Sequence, residues 1–169
     1  MTNHIVLFEP LFPANTGNIA RTCAGTDTVL HLIRPLGFST DDKHMKRAGL
    51  DYWNRVKIVY EDNLQSFIES VPDKQQLYLV SKFASRDYTE VDYTKPGDHY
   101  FLFGKETAGL PEKTMLRYQD NTIRIPQDDD NIRALNLSNS VAIVIYEALR
   151  QQKFNNLARV HRYPHDKLK

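Results

Sequence analysis

Residues 100–111 read Tyr-Phe-Leu-Phe-Gly-Lys-Glu-Thr-Ala-Gly-Leu-Pro, an apolar run followed by a loop with a glycine near each end. A run of four consecutive apolar residues predicts a strand that is buried on both of its faces. The two glycines allow the backbone after the strand to turn tightly. This stretch therefore predicts a strand in a covered sheet, with a loop at its carboxyl end that holds one carboxylate, Glu106.

Apolar runs of the same kind recur at residues 5–8, 29–33, 56–60, 77–81 and 122–125. Amphipathic spacing and capping residues predict helices at 18–24, 63–70, 111–118 and 138–153. Strands that alternate with helices predict an α/β fold, with a mainly parallel sheet flanked by helices. Such sheets bind ligands beyond the carboxyl ends of their strands, so the chemistry is expected in three junctions: residues 13–21, 104–111 and 126–139.

The composition is that of one soluble globular domain, residues 1–169, with 41% hydrophobic and 25% charged residues. The formal net charge of +1 gives no global signature of nucleic-acid binding, so an RNA site would need local clusters of basic residues. No apolar stretch has the length of a membrane span, and no signal peptide is evident. The single cysteine, Cys23, excludes an internal disulfide and a multi-cysteine zinc site, and it fits a cytoplasmic protein without disulfide-linked partners.

The first junction combines helix-capping residues with an arginine. Asn15, Thr16 and Asn18 are good caps, and Arg21 is expected in the first turns of the helix that they begin. An arginine near a helix N-terminus can bind phosphate. A capped helix with a surface arginine is an equal alternative.

The other two junctions also leave alternatives open. The loop around Glu106 is neither a phosphate-binding Walker loop nor a dinucleotide fingerprint, and it could be a simple strand-to-helix turn. The aspartates at 128–130 lack the spacing of a calcium loop, so we expect a solvated acidic loop and no metal. Residues 136–139 open an apolar helix, with Ser138 or Asn139 as its predicted cap.

Together and in this order, the three junctions resemble the motifs of the SPOUT superfamily of α/β-knot RNA methyltransferases. The segments are Asn-x-Gly-Asn-x-x-Arg-Thr from 15, Phe-Gly-x-Glu-x-x-Gly-Leu-Pro from 103 and Leu-Asn-Leu-Ser-Asn-Ser-Val-Ala from 135. The chain is most similar to the minimal, single-domain branch. This resemblance implies a C-terminal trefoil knot and S-adenosylmethionine as cofactor, with S-adenosylhomocysteine as product. It also implies 2′-O-methylation of the wobble nucleotide, position 34, of certain leucine tRNAs.

The resemblance also implies site residues. Its catalytic set is Arg21, Asn15, Glu106 and Asn136. Its cofactor-binding set is Val80, Ser81, Gly104, Gly109, Ile125, Gln127, Ala134 and Leu135. Because arginine stays protonated, we expect Arg21 to grip a phosphate rather than to act as a base. The sequence departs from many relatives at Ala134, where they have serine, and in a longer, more acidic loop at 127–130.

RNA contacts and a dimer complete the expectations. Besides Arg21, basic residues cluster at Lys43, Lys46 and Arg47 and in the tail 154–169, which could equally be solvated and frayed. The resemblance implies a homodimer that binds the tRNA anticodon arm, with the last helix at the interface. Tyr146 is our candidate there, and a core tyrosine is its alternative. Alternative functions are ribosomal RNA ribose methylation and a non-catalytic RNA-binding module.

Overall fold

The computed structural model describes residues 1–40 and 53–160. Its strands are Asn3–Phe8 (β1), Val29–Ile33 (β2), Ile58–Glu61 (β3), Leu77–Val80 (β4), His99–Phe103 (β5) and Thr122–Ile123 (β6). Its α-helices are Pro13–Thr26 (α1), Leu64–Ser70 (α2), Glu112–Arg117 (α3) and Leu137–Gln151 (α4). All the predicted strands and helices are confirmed, with shifted bounds.

The strands form one six-stranded sheet in the order β3-β2-β1-β5-β4-β6, and every pairing is parallel. The predicted parallel α/β sheet is therefore confirmed. The trefoil knot stays a prediction. The carboxyl ends of β5, β4 and β6 lie side by side, because Val80 pairs with Phe103 on one side and with Ile123 on the other.

Two apolar layers cover the two faces of the sheet. Ile5 and Leu7 of β1 belong to the layer that also holds the buried residues of α1 and α4. Val6 and Phe8 of the same strand point into the layer formed with α2 and α3. Burial on both faces explains why the strands read as continuous apolar runs.

Helix α1 begins earlier than predicted. It starts at Pro13, and Phe12 occupies its cap position without a side-chain hydrogen bond. The prediction that Asn15, Thr16 and Asn18 cap this helix is wrong, and Arg21 lies in its second half rather than in its first turns. Proline favours the first helical turn because its φ is already helical and its missing N–H would have no partner there.

Helix α4 also begins earlier than predicted. Its cap is Asn136, whose Oδ1 accepts hydrogen bonds from the backbone N–H groups of Ser138 and Asn139. The prediction of Ser138 or Asn139 as the cap is therefore wrong. Tyr146 on this helix is 50% exposed, so it is not a core tyrosine in the isolated chain.

Several sequence predictions fall outside the described residues. These are the RNA-binding assignments to Lys43, Lys46 and Arg47, and the part of the tail beyond residue 160. In the described part of the chain, no helix is long and apolar enough to cross a membrane. Within the same residues, no three histidine, cysteine, aspartate or glutamate side chains are grouped so that they could hold a metal ion.

A chain of polar side chains crosses one face of the sheet. His4 Nδ1 lies 2.9 Å from His31 Nε2, and His31 Nδ1 lies 2.8 Å from Glu61 Oε1. The His4 ring stacks on Tyr100 with ring centroids 4.3 Å apart. Burial, with a smaller repulsion from His31, lowers the pKa of His4 from 6.5 to about 4. In the folded protein the His4 side chain is therefore neutral at neutral pH.

We predict that Gly104→Ala destabilises the fold and that Gly25→Ala does not. A Cβ at Gly104 would lie 2.1 Å from the carbonyl carbon of Gly109, whereas a Cβ at Gly25 would meet no atom within 4 Å beyond its chain neighbours and the backbone of its own helix. The first change should cost about 1–3 kcal/mol or more through overpacking. The second removes a helical glycine and should stabilise by up to about 1 kcal/mol. Urea unfolding at one fixed protein concentration measures the change in stability for both variants. Equal changes in the two variants would contradict the close approach of Gly104 to Gly109.

We also predict that His4 makes the protein less stable in mild acid. The unfolded chain binds a proton at His4 below pH 6.5 and the folded chain only near pH 4, so stability falls as the pH drops between these values. The loss between pH 7.5 and pH 5 should be about 2 kcal/mol for this group. In His4→Phe, which keeps an aromatic ring, that part of the pH dependence should vanish. Urea unfolding of the wild-type protein and of His4→Phe at pH 7.5 and pH 5 gives the free energy of unfolding at each pH. An equal loss of stability in the two proteins would refute the assignment of this pH dependence to His4.

Candidate active site

Glu106 lies against the start of α1. Its Oε2 accepts a hydrogen bond from the Leu11 N–H at 2.9 Å, and its Oε1 accepts from the Phe12 N–H at 3.2 Å. Oε1 also accepts from Asn15 Nδ2 at 3.2 Å. The carboxylate thus supplies acceptors just before and within the first turn of α1, whose N-cap residue makes no side-chain cap. A negative charge is favourable at this end of a helix.

Asn136 connects this arrangement to the third junction. Its Nδ2 donates to Asn15 Oδ1 at 3.1 Å, while its Oδ1 caps α4. The side chains of Asn136, Asn15 and Glu106 therefore form one hydrogen-bond chain, called the amide–carboxylate chain below. Three of the four predicted catalytic residues, which are far apart in sequence, come together in it.

Arg21 lies on the exposed side of α1, opposite its buried residues. The buried side of the helix includes Ile19, Ala20 and Cys23, which pack into the core. Arg21 is therefore on the side of the helix that a large ligand such as RNA can reach.

A second contact fixes the loop after β5. Lys105 forms an ion pair with Glu9, and its ammonium group lies 5.3 Å from the ring centroid of Phe8. The backbones of Lys105 and Gly109 exchange two hydrogen bonds, which close the loop. Sequence reasoning missed Glu9 and Lys105. The only sign of this ion pair in the sequence is that an acidic and a basic residue each lie just after an apolar run. Their pairing depends on β1 lying next to β5.

The predicted cofactor residues lie beyond three adjacent strand ends. Val80 ends β4 and Ser81 follows it, Gly104 follows β5, and Ile125 follows β6. All four are partly buried. Val80 and Ile125 also pack against the core layer of α1 and α4. The structure thus brings these four residues to one edge of the sheet.

Four further cofactor predictions fall in the surrounding loops. Leu135 is partly buried, and Gly109 and Ala134 are exposed. The side chain of Gln127 donates to Asp129 Oδ1 at 2.8 Å. Gly109 has φ of +69°, a left-handed conformation that favours glycine and that the loop needs for its return to Lys105.

The acidic loop is anchored rather than simply solvated. Arg124 donates to Asp129 Oδ2 at 2.6 Å and to the Lys82 carbonyl at 2.6 Å. The hydrogen bond from Arg124 lowers the pKa of Asp129. Lys82 Nζ in turn donates to the carbonyl of Arg133 at 2.9 Å. These contacts hold the third junction against the loop after β4.

The chain is similar in sequence and in fold to known RNA methyltransferases. The model of the SpoU rRNA Methylase family matches residues 2–146. A relative from Lactococcus lactis is 60% identical over 168 residues, 99% of each chain, and is named as a candidate tRNA (cytidine(34)-2′-O)-methyltransferase. A structure solved for insights into the 2-OH methylation of C/U34 on tRNA is 39% identical, with a TM-score of 0.81 over 90% of this chain and 97% of its own. An AdoMet-bound rRNA methyltransferase from Sinorhizobium meliloti is 25% identical, with a TM-score of 0.77 over 93% of this chain and 57% of its own.

We predict that Glu106→Gln destabilises the protein, although the two side chains have nearly the same shape. The amide replaces one acceptor oxygen by an NH₂ group, so at least one of the donors of Leu11, Phe12 and Asn15 loses its partner. An unsatisfied donor costs about 1–3 kcal/mol. Glu112→Gln is the matched control. That residue is exposed in the first turn of α3, where it accepts no backbone hydrogen bond that the structure records, and loss of its charge should cost only about 0.3–1 kcal/mol. Denaturant unfolding gives the stability of each variant relative to the wild-type protein. If Glu106→Gln lost no more stability than Glu112→Gln, the capping role of Glu106 would be disproved.

Proposed function

Because the chain belongs to the SpoU rRNA Methylase family, we propose that it methylates the ribose 2′-hydroxyl of the wobble nucleotide, position 34, of tRNA. The observation that carries this proposal is the 60% identity, over 99% of both chains, to a candidate tRNA (cytidine(34)-2′-O)-methyltransferase. The solved relative that concerns C/U34 on tRNA supports the same substrate. We further propose that the substrates are leucine tRNAs, and this proposal rests on the motif resemblance.

The proposed cofactor is S-adenosylmethionine, which when bound would supply an electrophilic methyl group, with S-adenosylhomocysteine as the product. The residues proposed to hold it are Val80, Ser81, Gly104, Gly109, Ile125, Gln127, Ala134 and Leu135. Their character fits the group, because half-buried apolar side chains at adjacent strand ends suit an adenosine and exposed backbone suits its polar atoms. The AdoMet-bound relative supports this choice of cofactor.

The catalytic residues act on the RNA by position and charge. Arg21 grips a phosphate beside the target ribose, and its positive charge stabilises the oxyanion that forms as the 2′-hydroxyl loses its proton. The amide–carboxylate chain holds the starts of α1 and α4 in place, so that Arg21 keeps a fixed position relative to the cofactor loops. We assign the role of proton acceptor to a phosphate oxygen of the RNA, since arginine stays protonated.

Ribosomal RNA is the second candidate substrate. It is favoured by the description of the family and by the rRNA methyltransferase from Sinorhizobium meliloti. The latter is only 25% identical to this chain, against 60% for the relative named for tRNA, so tRNA remains the first proposal. A non-catalytic RNA-binding module is the third reading, and binding of S-adenosylmethionine by the purified protein would distinguish it.

We further propose a cytoplasmic homodimer that binds the anticodon arm. Tyr146 and Ile143 are exposed on α4, a helix that buries Val144 and Ile145, and a second copy would cover them. The two-fold arrangement would join two RNA-binding surfaces, to which Lys43, Lys46 and Arg47 contribute in the proposal. Sedimentation velocity at micromolar concentration tests this assembly, and a monomer would contradict it. The buried free thiol of Cys23 suits a reducing compartment.

We predict that Arg21→Ala lowers methylation of tRNA by about 100-fold or more, because a charge-assisted contact to the reacting region is lost. Arg21→Lys keeps the charge but loses the bidentate fork, so its activity should be intermediate. Labelled S-adenosylmethionine and tRNA lacking the modification are the substrates. Mass spectrometry of the nucleosides then places the methyl group at position 34 or elsewhere.

The outcomes separate the readings. Methylation of ribosomal RNA alone would favour the second candidate substrate, and the absence of cofactor binding would favour the non-catalytic module. Urea unfolding of both variants and of the wild-type protein, at one protein concentration, separates a loss of chemistry from a loss of folded protein. Full methylation activity of Arg21→Ala would refute the catalytic role proposed for Arg21.

A further inference from the structure

A cavity of about 350 Å³ lies between α3 and the loop that follows β4. Its lining includes Ser81, Phe83, Met115 and Leu116, with the carboxylates of Glu112 and Asp120. This volume is within the range of small-ligand sites. The proposed methyl transfer uses none of these residues except Ser81, so the cavity has no role assigned so far.

Two very exposed apolar side chains line this cavity. Phe83 is 75% exposed and Leu116 is 64% exposed. Apart from Val160 at the end of the described chain, they are the most exposed large apolar residues in the part of the chain that the structure describes. Single exposed apolar residues are common, but two that line one cavity indicate a surface that contacts a ligand.

The chemistry of the cavity fits a nucleobase. The Lys82 ammonium lies 5.0 Å from the centroid of the Phe83 ring, and an exposed ring beside a cation is typical of surfaces on which unpaired bases stack. Glu112 and Asp120 would repel a phosphate, but their oxygens can accept hydrogen bonds from an exocyclic amino group. These groups together favour adenine or cytosine over uracil.

The cavity is tied to the proposed cofactor loops. The side chain of Lys82 donates to the Arg133 carbonyl at 2.9 Å, and its own carbonyl accepts from Arg124 at 2.6 Å. The Phe83 N–H donates to Ser81 Oγ at 3.2 Å. A base stacked on Phe83 would therefore lie next to the segments that we assign to the cofactor.

We propose that this cavity binds an unpaired, amino-bearing base of the RNA substrate. The base stacks on Phe83, and Asp120 and Glu112 accept hydrogen bonds from its exocyclic amino group. The inference rests on the proposed function, because it takes the RNA substrate from there. Phe83 and the two carboxylates are then specificity-determining residues outside the catalytic set.

The test is RNA binding, measured separately from catalysis. The probe is a fluorescent anticodon stem-loop with unpaired adenosines, titrated by anisotropy at fixed salt with saturating S-adenosylhomocysteine, which has no methyl group to transfer. Phe83→Ala should weaken binding roughly five- to 150-fold, which corresponds to about 1–3 kcal/mol for one stacked base. Phe83→Tyr should bind as the wild-type protein does. Because the ring is exposed, neither change should alter thermal stability or cofactor binding.

A second probe tests recognition of the amino group. In it, purine riboside, which lacks the 6-amino group, replaces the loop adenosines. The wild-type protein should prefer the adenosine probe several-fold. The double variant Glu112→Gln, Asp120→Asn should show less preference, since an amide oxygen is a weaker acceptor than a carboxylate.

The results distinguish this site from the proposed function. If the wild-type protein binds cofactor but no RNA, both proposals fail. If it binds the stem-loop and Phe83→Ala binds within twofold of it, the base site alone is overturned. Equal binding of the two probes by the wild-type protein would overturn the recognition of the amino group.

Discussion

The carboxylate of Glu106 determines how the helices and loops around the site are held. It accepts from the N–H groups of Leu11 and Phe12, at the start of a helix that has no side-chain cap of its own. Glu106 is itself fixed because the loop after β5 is closed by Lys105 and Gly109 and packs tightly against Gly104. The position of α1 therefore follows from the end of β5, and an unpaired carboxylate or unpaired N–H groups would carry a large desolvation penalty.

The same constraint reaches α4 through two amides. Asn15 donates to Glu106 with its Nδ2 and accepts from Asn136 with its Oδ1, so its amide has one orientation in this arrangement. Asn136 uses its own oxygen to cap α4. Since α1 and α4 pack together in one core layer, these bonds set the alignment of an apolar contact as well as of the site. The catalytic role proposed for these residues and their structural role are therefore coupled, and a change in one will alter the other.

The sequence predicts the elements well and their contacts poorly. A strand that is buried on both faces is a run of apolar residues, which can be identified without knowing its tertiary contacts. The alternation of such runs with helices predicts the parallel sheet. The ion pair of Glu9 with Lys105 and the contact of His4 with His31 depend on the strand order, which the runs do not encode. The sequence predicts too late a start for α1, because the acceptor of the Phe12 N–H, Glu106, lies far along the chain. The motif resemblance named Asn15, Glu106 and Asn136 as a set, but the bonds between them required the fold.

A net charge of +1 raises the question of how such a chain could hold RNA at all. Phosphate contacts alone would require a broad basic surface, and a net charge of +1 limits such contacts to local clusters of basic residues. The acidic loop would weaken such a surface further, but Arg124 partly neutralises it and Lys82 ties it to the loop after β4. Recognition by stacking and by hydrogen bonds to base edges needs little net charge. Because these contacts would share the loop after β4 with the cofactor, RNA and cofactor would each raise the affinity for the other by the same factor if either one orders that loop.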